Sequence, residues 1–380
     1  MTGPENRDLV DGERARYSIA STTVELQFGR GPASEILRRE MSVYARTDSS
    51  PEAVIRISPP VHASRTLARN PSIHNVTDNG FVADFGRYSV AWSKKEYISV
   101  DLVGYDEHRK NLLRKLANIE FAHPFEDIGR IFHEIVLIPT IFMYFSERCA
   151  IAHASAVRSR DGRGILVTGT GGVGKTSLML SLVQHHGWQF ISDDISFVGS
   201  DGTLWINGAY PKIYAYNVDE NDPLWSTLMR GRSLIDRMQW NVKRYAGRSR
   251  VRRRLDPRAL GSNDVAQRVR LDTVYVICRR QVDKIRLERL PAEKTVDLSL
   301  SLLQPEYGVI VNHLHWHEFN LKALGKPSCI TLGSVLSNMR NVLLNAYRMA
   351  DCFLMSVPLD YSTKRLQSEF LSACETGPAH

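Results

Sequence analysis

The chain has 380 residues, of which 43% are hydrophobic and 24% are charged, a balance that allows a sizeable buried core and predicts two domains. Its formal net charge of +8 is local, because residues 243–258 carry eight basic residues and one acidic residue and so contribute +7. The protein is therefore not uniformly basic, and nucleic acid is disfavoured as a partner.

No segment of the sequence is expected to act as a secretory signal or to span a membrane. The first twenty residues have mixed charges and no apolar core, so we expect no secretory signal. The most hydrophobic stretch, residues 131–145, contains His133, Glu134 and Pro139 and is too short for a bilayer. It predicts a buried or domain-joining helix, with a dimer face as the alternative. Five widely spaced cysteines without a C-x-x-C indicate a reducing cytoplasm.

The N-terminal part of the chain is rich in predicted strands. Between residues 17 and 105, several segments alternate apolar and polar residues and are separated by turn-forming residues: TTVELQF, AVIRIS, FVADF, YSVAWS and YISVDLV. They predict a small, mostly antiparallel sheet in a β-rich domain over residues 1–120. Residues 107–117 and 124–147 predict helices. The second helix belongs to a link, residues 121–148, to a second domain over residues 149–380.

The second domain is expected to begin with a hairpin. Residues 149–157, CAIAHASAV, predict a strand, and Asp161-Gly162 supplies a turn into the next strand, residues 165–167. His153 would then lie in the same sheet, where an imidazole can position a substrate hydroxyl or a phosphate. The alternative is an ordinary buried histidine in the core.

A phosphate-binding loop follows this hairpin. Residues 169–176 fit G-x-x-x-x-G-K-[ST], with a strand before the loop and helical character over residues 177–183. The glycines are expected to adopt positive φ angles and expose backbone N–H groups to phosphate oxygens, next to the positive end of a helix. The residues predicted to bind nucleotide are Gly169, Thr170, Gly171, Gly172, Val173, Gly174, Lys175, Thr176 and Ser177.

Two side chains of the loop have distinct predicted roles. Lys175 is expected to reach the β- and γ-phosphates of ATP, and the Thr176 hydroxyl is expected to bind Mg²⁺. Two acidic residues that can act with these side chains follow at residues 188–194, where a short apolar strand ends in Asp193 and Asp194. One carboxylate can hold the metal while the other accepts a proton from an attacking hydroxyl. We favour Asp193 as the base and Asp194 as the metal partner, with the exchange left open.

These residues resemble a known family. AHASAVRSRDGRGILVTGTGGVGKTSL followed by GWQFISDDISFV is similar to the catalytic domain of bacterial HPr kinase/phosphorylase and of HPr-kinase-like proteins, including kinases that phosphorylate a serine of lasso peptides. The resemblance implies Lys175 and Thr176 on the phosphates and Mg²⁺, Asp193 and Asp194 as base and metal partners, His153 as an accessory catalytic group, and a homo-oligomer. GAYPKIYAYNV resembles a later family segment and implies Lys212 near the phosphates, with a solvated lysine as the alternative.

Other features separate the chain from that enzyme. Residues 1–120 do not resemble its regulatory domain, and no phosphorylase signature is found, so reverse phosphorylase activity is not expected. The chain also does not reproduce the helix that this enzyme uses on its partner, so HPr itself is not expected as the substrate. The basic segment, residues 243–258, predicts an electrostatic clamp for an acidic protein or peptide, or an arginine near the transferred phosphoryl group. The alternative is a solvated loop. Tyr245 is its one aromatic residue, so stacking on bases is not indicated.

The C-terminal part predicts one strand and several helices. Residues 271–278 predict a core strand, and residues 295–303, 332–347 and 362–372 predict helices. His313, His315 and His317 alternate, so on a strand they would share a face and offer a metal site. On a helix they would belong to an amphipathic segment packed on the core, which we favour.

The sequence as a whole predicts an α/β protein, α+β overall, with a mixed-sheet phosphate-loop kinase domain. It predicts transfer of the γ-phosphoryl group of ATP, with Mg²⁺, to a hydroxyl. The favoured acceptor is a serine on a peptide or small protein, with peptide natural-product tailoring as one setting. Two alternatives stay open: a small-molecule kinase with the same core, and a non-catalytic module that uses bound ATP as a switch.

Overall fold

The computed structural model describes residues 13–57, 65–105, 127–218, 222–261 and 264–376. Helices and mixed sheets alternate in this part of the chain, which confirms the α/β class. The helix expected at residues 107–117 lies outside the described residues. None of the helices in these ranges combines the length and apolar character needed to cross a membrane.

The N-terminal sheet has eight strands in the order β1-β2-β3-β8-β7-β6-β5-β4. They are β1 (Arg14–Ile19), β2 (Thr22–Gln27), β3 (Ala53–Ile57), β4 (Thr66–Asn70), β5 (His74–Thr77), β6 (Gly80–Asp84), β7 (Ser89–Lys94) and β8 (Ile98–Val103). The β2–β3 and β3–β8 pairs are parallel and the other pairs are antiparallel, so the mostly antiparallel sheet is confirmed. Alternate side chains of β8 are buried, as period-two patterning requires.

A buried helical segment follows the N-terminal sheet. Helix α1 (Pro32–Met41) lies within the N-terminal part, and the later segment consists of α2 (Asp127–Arg130), a π-helical stretch (Ile131–Leu137) and α3 (Ile138–Tyr144). Trp92 donates a hydrogen bond to Thr140 at 3.1 Å, which ties the segment to the sheet. Nearly all apolar side chains of this segment are buried. The structure therefore agrees with the predicted buried helix and not with the alternative of an exposed dimer face. π-Helical turns concentrate at functional sites.

The C-terminal sheet carries the phosphate loop. Its path runs β12-β10-β11-β17-β14-β13-β9, and β19 pairs with β17 and β18. The strands are β9 (Cys149–Ala152), β10 (Ala154–Arg158), β11 (Gly164–Thr168), β12 (Gln189–Ser192), β13 (Ser196–Gly199), β14 (Thr203–Trp205), β17 (Arg268–Arg280), β18 (Arg286–Arg289) and β19 (Asp351–Pro358). A separate pair, β15 (Lys212–Tyr214) and β16 (Arg252–Arg254), is antiparallel.

One detail of this sheet differs from the prediction. The single strand expected at residues 149–157 is broken at His153, because β9 pairs with β13 whereas β10 pairs with β11 and β12. The hairpin between β10 and β11 is confirmed, with Gly162 at φ 89° in its turn. The strand that ends in the acidic pair, β12, is not adjacent to β11, because β10 lies between them.

The remaining helices cover the C-terminal sheet. They are α4 (Lys175–His185), α5 (Pro223–Met229), α6 (Leu234–Ala246), α7 (Ala292–Ser301), α8 (Leu303–Ala323), α9 (Leu332–Arg348) and α10 (Thr363–Thr376). The helices expected near residues 295–303, 332–347 and 362–372 are therefore confirmed. Thr331 and Ser334 form a capping box at the start of α9, which satisfies backbone donors that the first helical turn leaves open.

Most arginines of the basic segment have structural partners. Arg253 is fully buried and donates two hydrogen bonds to one Asp236 oxygen at 2.8 and 2.6 Å. Arg254 forms a two-pronged ion pair with Glu40, both contacts at 2.8 Å. The alternative of a solvated loop is therefore wrong for residues 252–254. Two of the positive charges of the segment are therefore neutralised within the fold, because each of these guanidinium groups is matched by a buried carboxylate.

The alternating histidines lie on helix α8, not on a strand. His313 and His317 are one turn apart and buried, whereas His315 is exposed, so the three do not share a face. His74 of β5 faces the buried pair, with its Nδ1 3.2 Å from Nδ1 of His313. Among the described residues, no group of three or more metal-ligating side chains is placed to hold an ion. The packed amphipathic helix is confirmed.

Acid should destabilise this histidine cluster. Burial lowers the pKa of His74 to about 3 and those of His313 and His317 to about 4, and the two neighbouring rings add to the effect at His74. Since an unfolded histidine titrates near pH 6.5, the unfolded chain takes up protons first as the pH falls. We expect each histidine to reduce the free energy of unfolding by up to about 1.4 kcal/mol per pH unit between about pH 6.5 and 4.

Chemical denaturation across that pH range measures the slope. His317→Gln should make the slope shallower, whereas His315→Gln, at an exposed position on the same helix, should leave it unchanged. Equal slopes for the wild type and His317→Gln would contradict this assignment.

Candidate active site

The phosphate loop joins β11 to α4 at the carboxyl end of the sheet. Gly169, Gly172 and Gly174 have φ angles of 151°, 80° and 112°, as the motif predicts. A Cβ at Gly169 would also lie 2.7 Å from the carbonyl oxygen of Ile277, so only glycine fits there. Gly171 does not have a positive φ angle, and the prediction is wrong for that residue.

The Lys175 side chain lies folded into the loop. Its Nζ donates to the carbonyl oxygens of Gly169 at 2.7 Å and Thr170 at 3.1 Å, and it lies 2.9 Å from Nε2 of His153. Burial lowers the pKa of Lys175 from its ordinary value, while the nearby carboxylates, Asp194 first among them, oppose this effect. The ammonium is thus held at the mouth of the loop, where the backbone already favours an anion.

Asp193 is bound by two hydroxyl groups. Thr176 Oγ1 donates to Asp193 Oδ1 and Oδ2 at 2.9 and 3.1 Å, and Ser155 Oγ donates to Oδ1 at 2.7 Å. Burial raises the pKa of Asp193 to about 6, and the adjacent Asp194 carboxylate adds to the rise. The structure therefore pairs Thr176 with Asp193, although β12 is not the neighbour of β11.

Asp194 lies at the open side of the same site. Its side chain is 54% exposed, and its φ angle of 68° places it in the left-handed region, which is strained for a residue other than glycine. One carboxylate oxygen lies 3.6 Å from Lys212 Nζ and the other lies 3.7 Å from Nδ1 of His153. Among the two acids, Asp194 is the one that an incoming molecule can reach.

His153 lies at the break between β9 and β10. It is only 3% exposed, as the core alternative expects, yet its ring faces Lys175, Asp194 and Glu306. Burial lowers the pKa of His153, and the Lys175 ammonium lowers it further, so the imidazole is neutral at pH 7. The break in the strand turns this residue from the sheet interior toward the phosphate loop.

Lys212 bridges two carboxylates across the site. It lies at the start of β15, and its Nζ contacts Glu134 Oε1 at 2.6 Å and Asp194 Oδ2 at 3.6 Å. Burial opposes the charge, but Glu134 and Asp194 outweigh it and raise the pKa of Lys212. Lys212 is therefore a half-buried, ion-paired cation within the site, and the alternative of a solvated loop lysine is wrong.

Sequence reasoning missed two acidic residues of the site. Glu134 lies on the π-helical stretch, and Glu306 lies at the start of α8, with its Oε1 3.5 Å from His153 Nε2. Helix α8 is kinked at Tyr307, whose φ and ψ angles are −114° and 19°. The single sequence signal was the presence of Glu134 inside an otherwise apolar stretch. For Glu306 no local signal existed.

The remaining residues predicted to bind nucleotide, Thr170, Val173 and Ser177, make contacts that support the loop and helix α4. Thr170 is exposed and contributes its carbonyl oxygen to Lys175. Val173 is buried in the core under the loop. The Ser177 hydroxyl accepts a hydrogen bond from Asn217 Nδ2 at 2.6 Å, which fixes the first turn of α4 to the chain after β15.

A cavity of about 630 Å³ connects these groups. It is bounded by the phosphate loop, both aspartates, His153 and the chain around β15 and β16. Arg252 and Ser249 of the basic segment line it, and Arg252 packs over the ring of Tyr214 at 5.3 Å. Its volume lies within the range of about 300–1,000 Å³ typical of small-molecule sites.

The oxygen donors of the site suit Mg²⁺. Thr176 and Asp193 present a hydroxyl and a carboxylate side by side, and both are hard ligands that Mg²⁺ prefers. A cation that retains water and phosphate oxygens in its shell needs no cluster of three protein ligands, and none occurs among the described residues.

Comparison with known proteins leaves the family open. No family model matches the chain, and no curated protein matches its sequence. Among solved structures, the Hpr(Ser) kinase/phosphatase from Coxiella burnetii aligns with 60% of this chain and 93% of its own, at 11% sequence identity and a TM-score of 0.26. A likeness of this size does not assign the chain to that family.

Proposed function

We propose that this protein is an ATP- and Mg²⁺-dependent phosphotransferase that phosphorylates a hydroxyl, a serine of a peptide or small protein in particular. The observation that carries the proposal is the paired contact between Thr176 and Asp193, directly behind a glycine loop with Lys175. It joins the three parts that phosphoryl transfer requires: a phosphate cradle, a metal-binding pair of oxygens and, in Asp194, a reachable carboxylate.

Nucleotide binding is supported by the loop itself. The positive-φ glycines expose backbone N–H groups next to the N-terminus of α4, an eleven-residue helix. In the proposed complex, Lys175 exchanges its contacts with the Gly169 and Thr170 carbonyls for phosphate oxygens. The exchange replaces neutral acceptors by charged ones, which strengthens the hydrogen bonds.

We assign the metal to Thr176 and Asp193, and thus exchange the roles favoured from the sequence. Asp193 is fully buried and its oxygens already accept from Thr176, whereas Asp194 is half exposed and has no contact with Thr176 at hydrogen-bond distance among the described residues. When bound, Mg²⁺ would neutralise charge on the β- and γ-phosphates. Asp194 is then the proposed base.

The proposed reaction is a single displacement at the γ-phosphorus. The acceptor oxygen forms a bond to phosphorus while the bond between phosphorus and the β–γ bridging oxygen breaks, so that ADP leaves with that electron pair. The acceptor proton passes to the Asp194 carboxylate and then to solvent. Lys212 and neutral His153, both within 4 Å of Asp194, hold this carboxylate in position.

A labelled-ATP transfer assay on serine peptides, followed by mass spectrometry, tests the proposal. Thr176→Val should lower kcat by at least about 100-fold because the metal loses an oxygen ligand and Asp193 loses one of its two hydroxyl donors. Thr66→Val, at an exposed position of β4, is the matched control and should retain wild-type turnover. Full activity of Thr176→Val, or failure of the wild type to transfer to any hydroxyl, would refute it.

A further inference from the structure

A second cavity of about 290 Å³ adjoins the phosphate cavity. Seven residues line both cavities and form their common wall: Glu134, Ile138, His153, Asp194, Ile195, Lys212 and Glu306. The second cavity therefore begins at the carboxylate that we propose as the base and extends away from the phosphate loop. This is the side from which an acceptor hydroxyl can approach Asp194.

The far wall of this cavity is apolar and is built from three parts of the chain. Ile135 and Pro139 come from the π-helical stretch and α3, and Val309 and Ile310 come from α8. Phe85, directly after β6, adds a ring from the N-terminal sheet. Val309 is 57% exposed, so the apolar wall continues to the surface. Such a wall favours an apolar group over a charged one, because a charge loses hydration there without gaining a partner.

One buried polar group without a partner among the described residues belongs to a residue of this wall. The Tyr307 hydroxyl is buried and makes no hydrogen bond within the part of the chain that the structure describes. The kink of α8 at Tyr307 places this ring in the cavity wall. A buried phenol without a partner is uncommon, and a ligand that accepts its hydrogen bond would recover the lost interaction.

We propose that this second cavity is the acceptor subsite and that it selects a serine flanked by an aliphatic residue, with the Tyr307 hydroxyl donating to the peptide carbonyl. The aliphatic side chain packs against Ile135, Val309 and Ile310, and the serine hydroxyl is then next to Asp194. The inference rests on the proposed phosphotransferase function. The proposed acceptor differs from the acidic peptide that the sequence predicts for the basic segment. Arg253 and Arg254 of that segment contact carboxylates within the fold instead.

Two synthetic peptides of equal charge provide the test, acetyl-Gly-Leu-Ser-Leu-Gly-amide and acetyl-Gly-Gly-Ser-Gly-Gly-amide. We expect the leucine peptide to have at least about tenfold higher kcat/KM, the effect of burying one aliphatic side chain. Val309→Trp should fill the cavity and reduce the preference to about twofold or less, and Tyr307→Phe should raise KM for the leucine peptide without changing kcat. Val242→Trp, at an exposed position of α6, is the matched control.

Binding separates failure of this subsite from failure of the proposed function. The same peptides with alanine in place of serine cannot react, and their affinity is measured by calorimetry in the presence of ADP and Mg²⁺. The leucine peptide should bind the wild type and Val242→Trp at least about tenfold more tightly than Val309→Trp. Equal affinities would overturn the subsite, even where transfer occurs. Selective binding without any transfer would keep the subsite and refute the kinase.

Discussion

Asp193→Asn is expected to reduce phosphoryl transfer by at least about 1,000-fold and, at the same time, to stabilise the fold above pH 6. The loss of activity follows from the loss of charge at the oxygens that contact Thr176, because a neutral amide binds Mg²⁺ poorly. The gain in stability follows from burial. The native site holds Asp193 where its charged form is disfavoured, and the amide removes that cost.

The sign of the stability effect is fixed by the direction of the pKa shift. The folded pKa of Asp193, about 6, exceeds the ordinary value of 3.8. The stability that its protonated form contributes is fully present below about pH 4 and is lost as the pH rises through about 6. Relative to wild type, Asp193→Asn should therefore gain free energy of unfolding above pH 6, by about 1–3 kcal/mol, and gain little at pH 4.

Activity assays and chemical denaturation on one set of variants measure both effects. Asp194→Asn should also lose turnover, yet it should bind ATP and Mg²⁺ within about threefold of wild type, because Asp194 is proposed to act on the acceptor proton. Asp78→Asn, in an exposed turn, is the matched control. If Asp194→Asn loses metal-dependent nucleotide binding while Asp193→Asn keeps it, Asp194 binds the metal and Asp193 is the base, as favoured from the sequence.

Lys175→Ala should abolish transfer, by at least about 1,000-fold, mainly through weaker binding of ATP. The ammonium of Lys175 lies inside the glycine loop, and the proposed complex directs it to the β- and γ-phosphates. Without it, these phosphates lose a charge-assisted donor in a partly buried site. Affinity for ATP by calorimetry and single-turnover transfer separate binding from chemistry. Lys322→Ala, exposed near the end of α8, is the matched control. Retained transfer in Lys175→Ala would eliminate the kinase.

Asp194→Asn and Lys175→Ala together distinguish the kinase from an ATP-dependent switch. A switch needs bound nucleotide but no chemistry, so Asp194→Asn, which is expected to bind ATP and Mg²⁺, would keep its biological function while Lys175→Ala would lose it. Deletion of residues 243–258, which would otherwise separate a peptide kinase from a small-molecule kinase, is not a clean test. It removes Arg253 and Arg254, whose ion pairs with Asp236 and Glu40 are buried in the fold.

Some features of the site could be predicted from sequence because they are local. The glycine pattern of residues 169–174 requires specific backbone angles within one loop, and three of its four glycines adopt them. Thr176 follows the loop directly, and Asp193 and Asp194 follow an apolar strand, so short-range rules place all of them at strand or helix ends. The β-rich N-terminal part and the C-terminal helices were likewise visible as periodic patterns.

Other features depend on how distant segments pack, and no local pattern encodes them. Glu134 and Glu306 reach the site only because a π-helical stretch and a kinked helix lie against the break at His153. The order of β10, β11 and β12 decides that Thr176 meets Asp193.

The sequence by itself thus determined that the chain has an anion-binding loop, with an acidic strand end downstream and a locally concentrated positive charge. These are properties of neighbouring residues, set by backbone conformation and residue type. The tertiary structure alone decided which acid contacts Thr176, that the arginines at 253 and 254 are neutralised within the fold, and that an apolar cavity adjoins Asp194. Burial and long-range contact set these outcomes, because the cost of an unpaired buried charge depends on the residues that surround it in space.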